Sequence, residues 1–434
     1  QEQRSERLVR ALQTAGRFSH AVDEVEVIET HISWVLLAGE FAYKIKKPVR
    51  FDFLDFSTLE RRRFFCEEEL RLNRRFASEL YLEVVPITGD PGCPEVSGDG
   101  EVSEYAVRMR RVRQEDLLSE VAAIGRLGPE EIDALGAALG TLHEQCARAD
   151  ATHDFGQVSE IRFWVQDNFT EILPLVAGDG ERTALQALER WSARELVEIE
   201  KLLDRRRSGG FVRECHGDLH LGNIVMIDGR PVPFDCIEFN EALRWIDVMS
   251  EIAFLVMDLD DHGHRALSHR FLNAYLRRTG DYGGVAVLDY YLVYRAMVRA
   301  KVAAIRIGEG HLAADEERTL REECRSYVDL ATRYTERSAP VVVLMHGVSG
   351  SGKSTLAVRL AEEGGMIQLR SDMERKRMAG LAEAESSDSG LGSGLYSARS
   401  DAAVYARLLE LSSNIWRSGR SVIVDATFLK LSLI

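Results

Sequence analysis

The stretch His216-Gly217-Asp218-Leu219-His220-Leu221-Gly222-Asn223 decides how this chain is read. It is short and polar, and it sets an aspartate and an asparagine five residues apart. Twelve residues after Asn223 a second aspartate, Asp235, closes the apolar run Pro231–Phe234. Phosphoryl transfer from a nucleotide needs positioning and charge neutralisation more than covalent chemistry. One carboxylate must orient a hydroxyl and take its proton, and Asp218 suits that role. A carboxylate and an amide oxygen are hard donors suited to Mg²⁺, and Asp235 with Asn223 offer both.

On the N-terminal side, residues 5–14 have the pattern of a short amphipathic helix, and Val25–Glu29 and Ser33–Leu37 read as strands. Ala38-Gly39-Glu40 is a turn signal. Phe41–Lys46 then alternates apolar and basic residues, as a strand with one buried face does. Lys44 and Lys46 fall on one face, because side chains two apart in a strand point the same way. Thr58–Ala77 predicts a long charged helix with Glu67, Glu68 and Glu69 in its middle. Leu82–Ile87 and Glu104–Met109 predict further strands, joined across a Gly-, Pro- and Asp-rich hairpin loop, Gly89–Gly100. From Asp116 to Leu203, and again from Ile246 to Tyr334, the pattern is helical, with breaks near Gly280–Gly284 and Gly308–Gly310.

With these residues in place, His216–Asn223 followed by Phe234-Asp235 resembles the catalytic loop of aminoglycoside phosphotransferases, and choline kinases are similar. The resemblance spans roughly residues 20–335. It implies an α+β protein-kinase-like bilobal domain that uses ATP and Mg²⁺. The acceptor it implies is a hydroxyl on a small polar molecule such as a sugar, amino sugar or amino alcohol. Carried over by position, Asp218 becomes the catalytic base, and Asn223 and Asp235 the metal ligands. Ala42-Tyr43-Lys44 resembles the Ala-x-Lys of the kinase phosphate-binding strand, so Lys44 is the candidate lysine, with Lys46 as runner-up. The partner carboxylate is expected from the Thr58–Ala77 helix, with Glu69 preferred over Glu68. The strand ending at Met109 would lead to the adenine hinge, with Arg110–Arg113 at the cleft edge. No Gly-x-Gly-x-x-Gly precedes Lys44, and the hairpin Ser33–Phe41 has only Gly39 to offer.

Plainer readings stand beside these. Lys44 and Lys46 could be solvated on an edge strand, and Glu67–Glu69 could be a solvated helix face. His143 reads as a packing residue. His216 and His220 read as loop braces, since no further His or Cys completes a zinc set. Asp247 reads as a loop brace or helix cap. Asp258, Asp260 and Asp261 read as a solvated loop, with a cationic acceptor site as the sharper alternative.

A second motif lies beyond the polar connection Thr335–Pro340. Gly347-Val348-Ser349-Gly350-Ser351-Gly352-Lys353-Ser354 matches Gly-x-x-x-x-Gly-Lys-Ser. It follows the apolar run Val341–Met345, expected as a parallel strand buried on both faces, and it opens a predicted helix. Its glycines free backbone N–H groups to surround phosphate oxygens at a helix N-terminus. Lys353 would reach the β and γ phosphates, Ser354 would ligate Mg²⁺, and Thr355 would pack beside them. Asp372 and Arg375 lie one helical turn apart and so share a face. Asp425 closes a second apolar strand, Ser421–Val424.

That pattern resembles polynucleotide-kinase-like P-loop kinases of the AAA or zeta-toxin type. The resemblance implies that Asp372 acts on an acceptor hydroxyl, Arg375 contacts the acceptor and Asp425 is a Walker-B carboxylate. It also implies a lid and a further strand that residues 341–434 do not reach, so this α/β P-loop domain is expected to be incomplete. Residues 386–397, rich in Ser and Gly, are expected to be a mobile stretch.

The expected organisation is a kinase domain over residues 1–335 and a P-loop kinase domain over 336–434. Two non-enzymatic readings compete: a nucleotide-binding pseudokinase that regulates the P-loop domain, and a P-loop ATPase switch. A net charge of −15 argues against a broad nucleic-acid-binding surface, leaving nucleic acid only as an acceptor for the P-loop region. The six scattered cysteines contain no Cys-x-x-Cys and read as reduced thiols of a cytoplasmic protein. No apolar run approaches the ~20 residues of a membrane span.

Overall fold

The computed structural model describes residues 2–51, 54–150, 152–176, 178–308, 312–348, 350–381, 385 and 398–428. The Ser- and Gly-rich stretch 386–397 lies outside them. The chain divides into two compact units, one of residues 1–126 and 214–245, the other of 127–213 and 246–434.

The first unit is built on an antiparallel sheet. Helix α1 (Glu2–Leu12) precedes β1 (Val25–Glu29), β2 (Ser33–Ala38) and β3 (Phe41–Lys46). The two-residue strands β4 (Arg50–Phe51) and β5 (Leu54–Asp55) form a separate pair. Then come α2 (Leu59–Ala77), β6 (Tyr81–Thr88), β7 (Glu95–Val96), β8 (Val102–Arg110) and α3 (Leu118–Ala123). The six-stranded order is β1-β2-β3-β8-β6-β7. Strand periodicity explains its two faces. Tyr43 and Ile45 join Leu8, Val9 and Leu12 of α1 in one apolar cluster, while Tyr81 and Val107 pack with Cys66 and Ala77 of α2 in another. The Thr58 hydroxyl caps α2 by accepting from the Arg61 N–H at 3.3 Å, as an N-cap residue does.

One expectation needs correction here, and one of the plainer readings fails. The stretch 89–100 is not wholly loop, because Glu95–Val96 folds back to pair with Ile87 and Thr88. The lysines of β3 are not solvated. Lys44 is 9% and Lys46 1% exposed, because β3 is an interior strand whose second face is covered.

The same unit receives residues 214–245. The 3-10 turn Leu221–Asn223 leads into the hairpin β10 (Ile224–Ile227) and β11 (Arg230–Pro233), and α7 (Glu241–Arg244) follows. Strand β9 (Val212–Glu214) and strand β12 (Trp245–Asp247) are the stretches at which the chain passes from one unit to the other.

The second unit is mainly helical: α4 (Pro129–Gln145), α5 (Val158–Ile172), α6 (Asp179–Ser208), α8 (Val248–Asp261), α9 (Arg265–Thr279), α10 (Val285–Gly308) and α11 (Ala314–Thr335). Helix α8 is buried from Val248 to Leu259 and runs through the core. Its N-cap is Asp247, which accepts from the Met249 N–H and pairs with buried Arg206 at 2.7 Å. The reading of Asp247 as a helix cap therefore holds. His143 is buried against the Tyr275 hydroxyl at 2.9 Å, a packing role. Asp258, Asp260 and Asp261 do not form a solvated loop. They lie in the last turn of α8, with Asp260 accepting from the Tyr334 hydroxyl at 2.7 Å and Asp261 from Ser326 at 2.9 Å.

This unit also contains β13 (Val342–Met345), α12 (Lys353–Gly364), β14 (Ile367–Arg370), α13 (Ser371–Met378), α14 (Ala398–Arg417) and β15 (Val422–Asp425). The three strands form a parallel sheet in the order β13-β15-β14. β15 is the fully buried centre. β13 departs from the expectation of a strand buried on both faces. It is an edge strand, with Val342 47% and Leu344 40% exposed, because among the described residues only β15 pairs with it. The chain thus has the expected α+β fold followed by a small α/β parallel sheet.

Candidate active site

A cavity of about 460 Å³ in the first unit is lined by one residue of the opening motif, Asp218, and by Phe234 and Asp235, while Asn223 is not among its lining residues. Its lining includes Lys44 from β3, Asp218, Asp235 and Glu238, with Val35, Leu37, Ala42, Leu80 and Met109 as an apolar wall. Arg110, the last residue of β8, and Val112 just past it also line it. Arg111 and Arg113 have other partners, Glu26 at 3.2 Å and Asp116 at 2.7 Å. Gly39 is not among the lining residues. The turn that lines the cavity contains Thr30 and Ile32, between β1 and β2, and is braced by the Thr30 hydroxyl against Ser33.

Backbone geometry explains the glycine in His-Gly-Asp. Gly217 has φ +91°, and a Cβ there would stand 2.8 Å from the Leu243 carbonyl oxygen. The neighbouring His216 is fully buried and braces the loop through both ring nitrogens. Nε2 donates to the Phe234 carbonyl at 2.7 Å, and Nδ1 accepts from the Asp218 N–H at 3.4 Å. His220 Nδ1 accepts from the Gly222 N–H at 3.1 Å. Both histidines are therefore braces. The Asn223 side-chain N–H₂ donates to the Asp218 carbonyl and to its carboxylate, each at 3.0 Å. That orientation leaves the amide oxygen of Asn223 as its donor toward a cation.

The segment bearing Asp235 is fixed by α2 and β6. The Asp235 N–H donates to the Tyr81 hydroxyl at 3.1 Å, and the Cys236 N–H to Asn73 Oδ1 at 2.9 Å. Asp235 itself has φ +63°, a left-handed conformation uncommon for a residue with a side chain. Its carboxylate lies 2.5 Å from Lys44 Nζ. Lys44 is also 2.9 Å from Glu69 Oε1, so the expected lysine, helix carboxylate and second aspartate meet. Glu68 instead pairs with Arg71 at 2.9 Å, and Glu67 with Arg63 at 2.9 Å. Lys46 does not line the cavity. It lies behind Lys44, bonded to Glu69 Oε2 at 2.7 Å and to Glu238.

Charge balance sets the protonation of this cluster. Burial lowers the pKa of Lys44, but Asp235, Glu69 and Glu238 outweigh it and hold the ammonium well above its ordinary range. Burial likewise opposes the charge on Lys46, and Glu238 and Glu69 raise it. Burial pushes Glu69 up, yet Lys44 and Lys46 bring it down to about 2. Glu238 is raised, chiefly by burial. Asn223 and Asp235 offer hard oxygens beside a cluster with more carboxylates than ammoniums, a donor set that fits Mg²⁺.

The reading of the residues named the Lys44–Glu69 partnership but missed Glu238, Tyr81 and Asn73. Glu238 had a signal, an acid three residues after Asp235 in an otherwise apolar run. Tyr81 and Asn73 had none, since their roles depend on what the fold brings opposite them.

In the second unit, Gly347, Gly350 and Gly352 have φ of +137°, +79° and +83°, left-handed conformations that glycine adopts readily. Ser351 precedes Gly352, the N-cap of α12, and Lys353, Ser354 and Thr355 form its first turn. Lys353 Nζ donates to the Val348 carbonyl at 2.5 Å and lies 3.5 Å from Ser351 Oγ. Asp425, at the end of the central strand, is buried and accepts from Gln368 Nε2 at 3.3 Å. Asp372 and Arg375 take separate partners: Asp372 pairs with Arg370 at 2.7 Å, and Arg375 with Asp401 at 2.8 Å. Asp372 is not the N-cap of α13, a position held by Arg370.

Comparison with known proteins matches two stretches of the chain, the first of which runs across both units. The model of the phosphotransferase enzyme family matches residues 59–288, more than half of the chain. An AAA-domain model matches residues 342–433. Proteins of Mycobacterium tuberculosis and Mycobacterium bovis, described only as uncharacterized, are 33% identical over 411 residues, covering 93% of this chain and 78% of theirs. An amicoumacin kinase solved in complex with AMP-PNP, Ca²⁺ and Ami is 13% identical, with a TM-score of 0.45 over 75% of this chain and 93% of that one. A Plasmodium vivax ethanolamine kinase is 12% identical, with a TM-score of 0.42 over 70% of this chain and 82% of that one. No described helix is long and apolar enough to cross a membrane.

Proposed function

The chain belongs to the phosphotransferase enzyme family, and from that premise we propose that residues 1–335 transfer the γ-phosphoryl group of ATP to a hydroxyl of a small polar molecule. The observation that carries this reading is the cavity in which Lys44, 2.5 Å from Asp235 and 2.9 Å from Glu69, shares a lining with Asp218. The apolar wall from Val35 to Met109 suits a purine ring. Lys44, held by Glu69, would contact the phosphates. Asn223 and Asp235 would hold Mg²⁺, which supplies charge neutralisation on the phosphates. The acceptor oxygen forms a bond to the γ-phosphorus as the bond from that phosphorus to the β-phosphate oxygen breaks. The acceptor proton passes to the Asp218 carboxylate, and ADP leaves. Asn223 orients that carboxylate through its 3.0 Å bond.

For residues 336–434 we propose a second nucleotide site on Gly347, Gly350, Ser351, Gly352, Lys353, Ser354 and Thr355, with Asp425 as its carboxylate and Asp372 and Arg375 facing an acceptor. The positive φ of the three glycines supports the phosphate loop. The separate pairings of Asp372 and Arg375 mean that both must change partners to act on one acceptor.

The test is a screen of sugars, amino sugars and amino alcohols for ATP-dependent phosphorylation, run on the wild type, Asp218→Ala and Lys353→Ala. The first reading expects a product that Asp218→Ala loses and Lys353→Ala keeps. A product that survives Asp218→Ala would overturn it.

A further inference from the structure

The charged side chains behind Lys44 close into a ring. Asp235 contacts Lys44 at 2.5 Å, and Lys44 contacts Glu69 Oε1 at 2.9 Å. Glu69 Oε2 accepts from Lys46 at 2.7 Å, and Lys46 also donates to Glu238. Glu238 stands three residues after Asp235, so the backbone from 235 to 238 completes the circuit. Its rear members are buried: Lys46 is 1%, Glu69 0% and Glu238 4% exposed. Buried ions are seldom repaid for leaving water, so an apolar pair would serve packing as well or better. This pair instead reaches the site through shared atoms. Glu69 gives one carboxylate oxygen to each lysine, so the position of Lys46 sets the orientation of the oxygen that meets Lys44.

The backbone of this segment has its own ties, through Tyr81, Asn73 and the His216 carbonyl, which accepts from the Ile237 N–H at 3.0 Å. Those bonds hold the main chain. The ring holds the side chains, at a residue whose φ of +63° must be imposed by its surroundings.

We propose that Glu238 is a positioning residue of the phosphotransfer site, acting through Lys46 and Glu69 to fix Lys44 against Asp235. This rests on the phosphotransferase reading of the same cavity. Glu238 is among the residues lining the cavity, but its role here runs through Lys46 rather than through contact with nucleotide or acceptor. It sets where the Asp235 carboxylate meets a cation. Groups that orient a metal ligand from behind typically change metal affinity about 10–100-fold when removed.

The experiment uses the full chain carrying Lys353→Ala, to suppress the P-loop site. Two quantities are measured: Mn²⁺ affinity in the presence of a non-hydrolysable ATP analogue, and affinity for the analogue in EDTA. Glu238→Gln and Lys46→Met should each weaken Mn²⁺ by about 10-fold or more, with analogue binding in EDTA held within about 2-fold. The double variant Lys46→Met/Glu238→Leu replaces the buried ions by an apolar pair, so it should fold well and still bind Mn²⁺ weakly. Lys46→Arg should recover part of the affinity that Lys46→Met loses. Unchanged Mn²⁺ affinity in Glu238→Gln, or wild-type affinity in the double variant, overturns the proposal. So does a parallel fall in both affinities that tracks stability. Asp235→Asn separates this failure from that of the underlying reading. If Asp235→Asn binds Mn²⁺ normally, the phosphotransferase reading of the cavity falls. If it does not and Glu238→Gln does, only the positioning role falls.

Discussion

Gly217 shows how narrow the tolerance around Asp218 is. Its φ of +91° and the Leu243 oxygen 2.8 Å from a notional Cβ leave no room for a side chain. Gly217→Ala should cost about 1–3 kcal/mol, read as a lower midpoint in denaturant. On the proposed mechanism, Asp218→Asn removes the proton acceptor while keeping shape and should lower kcat about 10²–10⁴-fold with an unchanged melting temperature. Glu69 carries a pH signature. Burial raises its pKa, but Lys44 and Lys46 outweigh burial and bring it from 4.5 to about 2. The folded state therefore favours the carboxylate, a stabilisation that is complete above pH 4.5 and lost as pH falls toward 2. The stability difference between wild type and Glu69→Gln should shrink from about pH 6 to about pH 3 in urea titrations. A difference that widened on acidification would contradict the ion-pair account. Asp218, Asn223 and Asp235 were legible in the chain because hard-oxygen donors at a fixed spacing suggest their chemistry without a fold. Glu238 stood out only as an acid in an apolar run, and its role was not readable, because that depends on Lys46, 192 positions away in sequence.

At the scale of elements, the sequence pattern located β1, β3 and α2 to within a residue or two, but it misjudged the burial of β3, whose apolar–basic alternation reads as one buried face although Ala42 to Lys46 are all buried. It misjudged β13, because a β-branched run looks the same at the centre of a sheet and at its edge. Pairing, not composition, decides which strand is covered. This difference is measurable. Ile423→Ala in the central strand β15 should cost about 2–5 kcal/mol, as a cavity in a packed core does. Leu344→Ala on β13 should cost under about 1 kcal/mol. Equal costs would mean that β13 is covered in solution. The short strand Glu95–Val96 escaped notice for a related reason, since two residues are too few to show a period.

At the scale of the whole molecule, the P-loop sheet shares a compact unit with helices α4–α6 and α8–α11. Arg270 of α9 pairs with Asp133 at 2.6 Å and with Glu362 of α12. Asn273 makes two bonds to the P-loop region, its N–H₂ donating to the Met366 carbonyl at 3.0 Å and its oxygen accepting from the Gln368 N–H at 2.7 Å. Asn273→Ala leaves both backbone groups without that partner and should lower stability by about 1–3 kcal/mol, measured in denaturant. The isolated chain 1–335 should likewise unfold at a lower temperature than the full protein. Gln368, which depends on Asn273, is also the donor to Asp425. The Asp425 carboxylate of the P-loop motif is thus held by Gln368, whose own N–H is held by Asn273, a residue that sequence would assign to the other domain. Its consequence concerns inheritance: residues 341–434 are not a portable cassette. Spliced onto another carrier, they would arrive without Asn273, and evolution or an engineer would have to move α9 with them or rebuild the grip on Gln368.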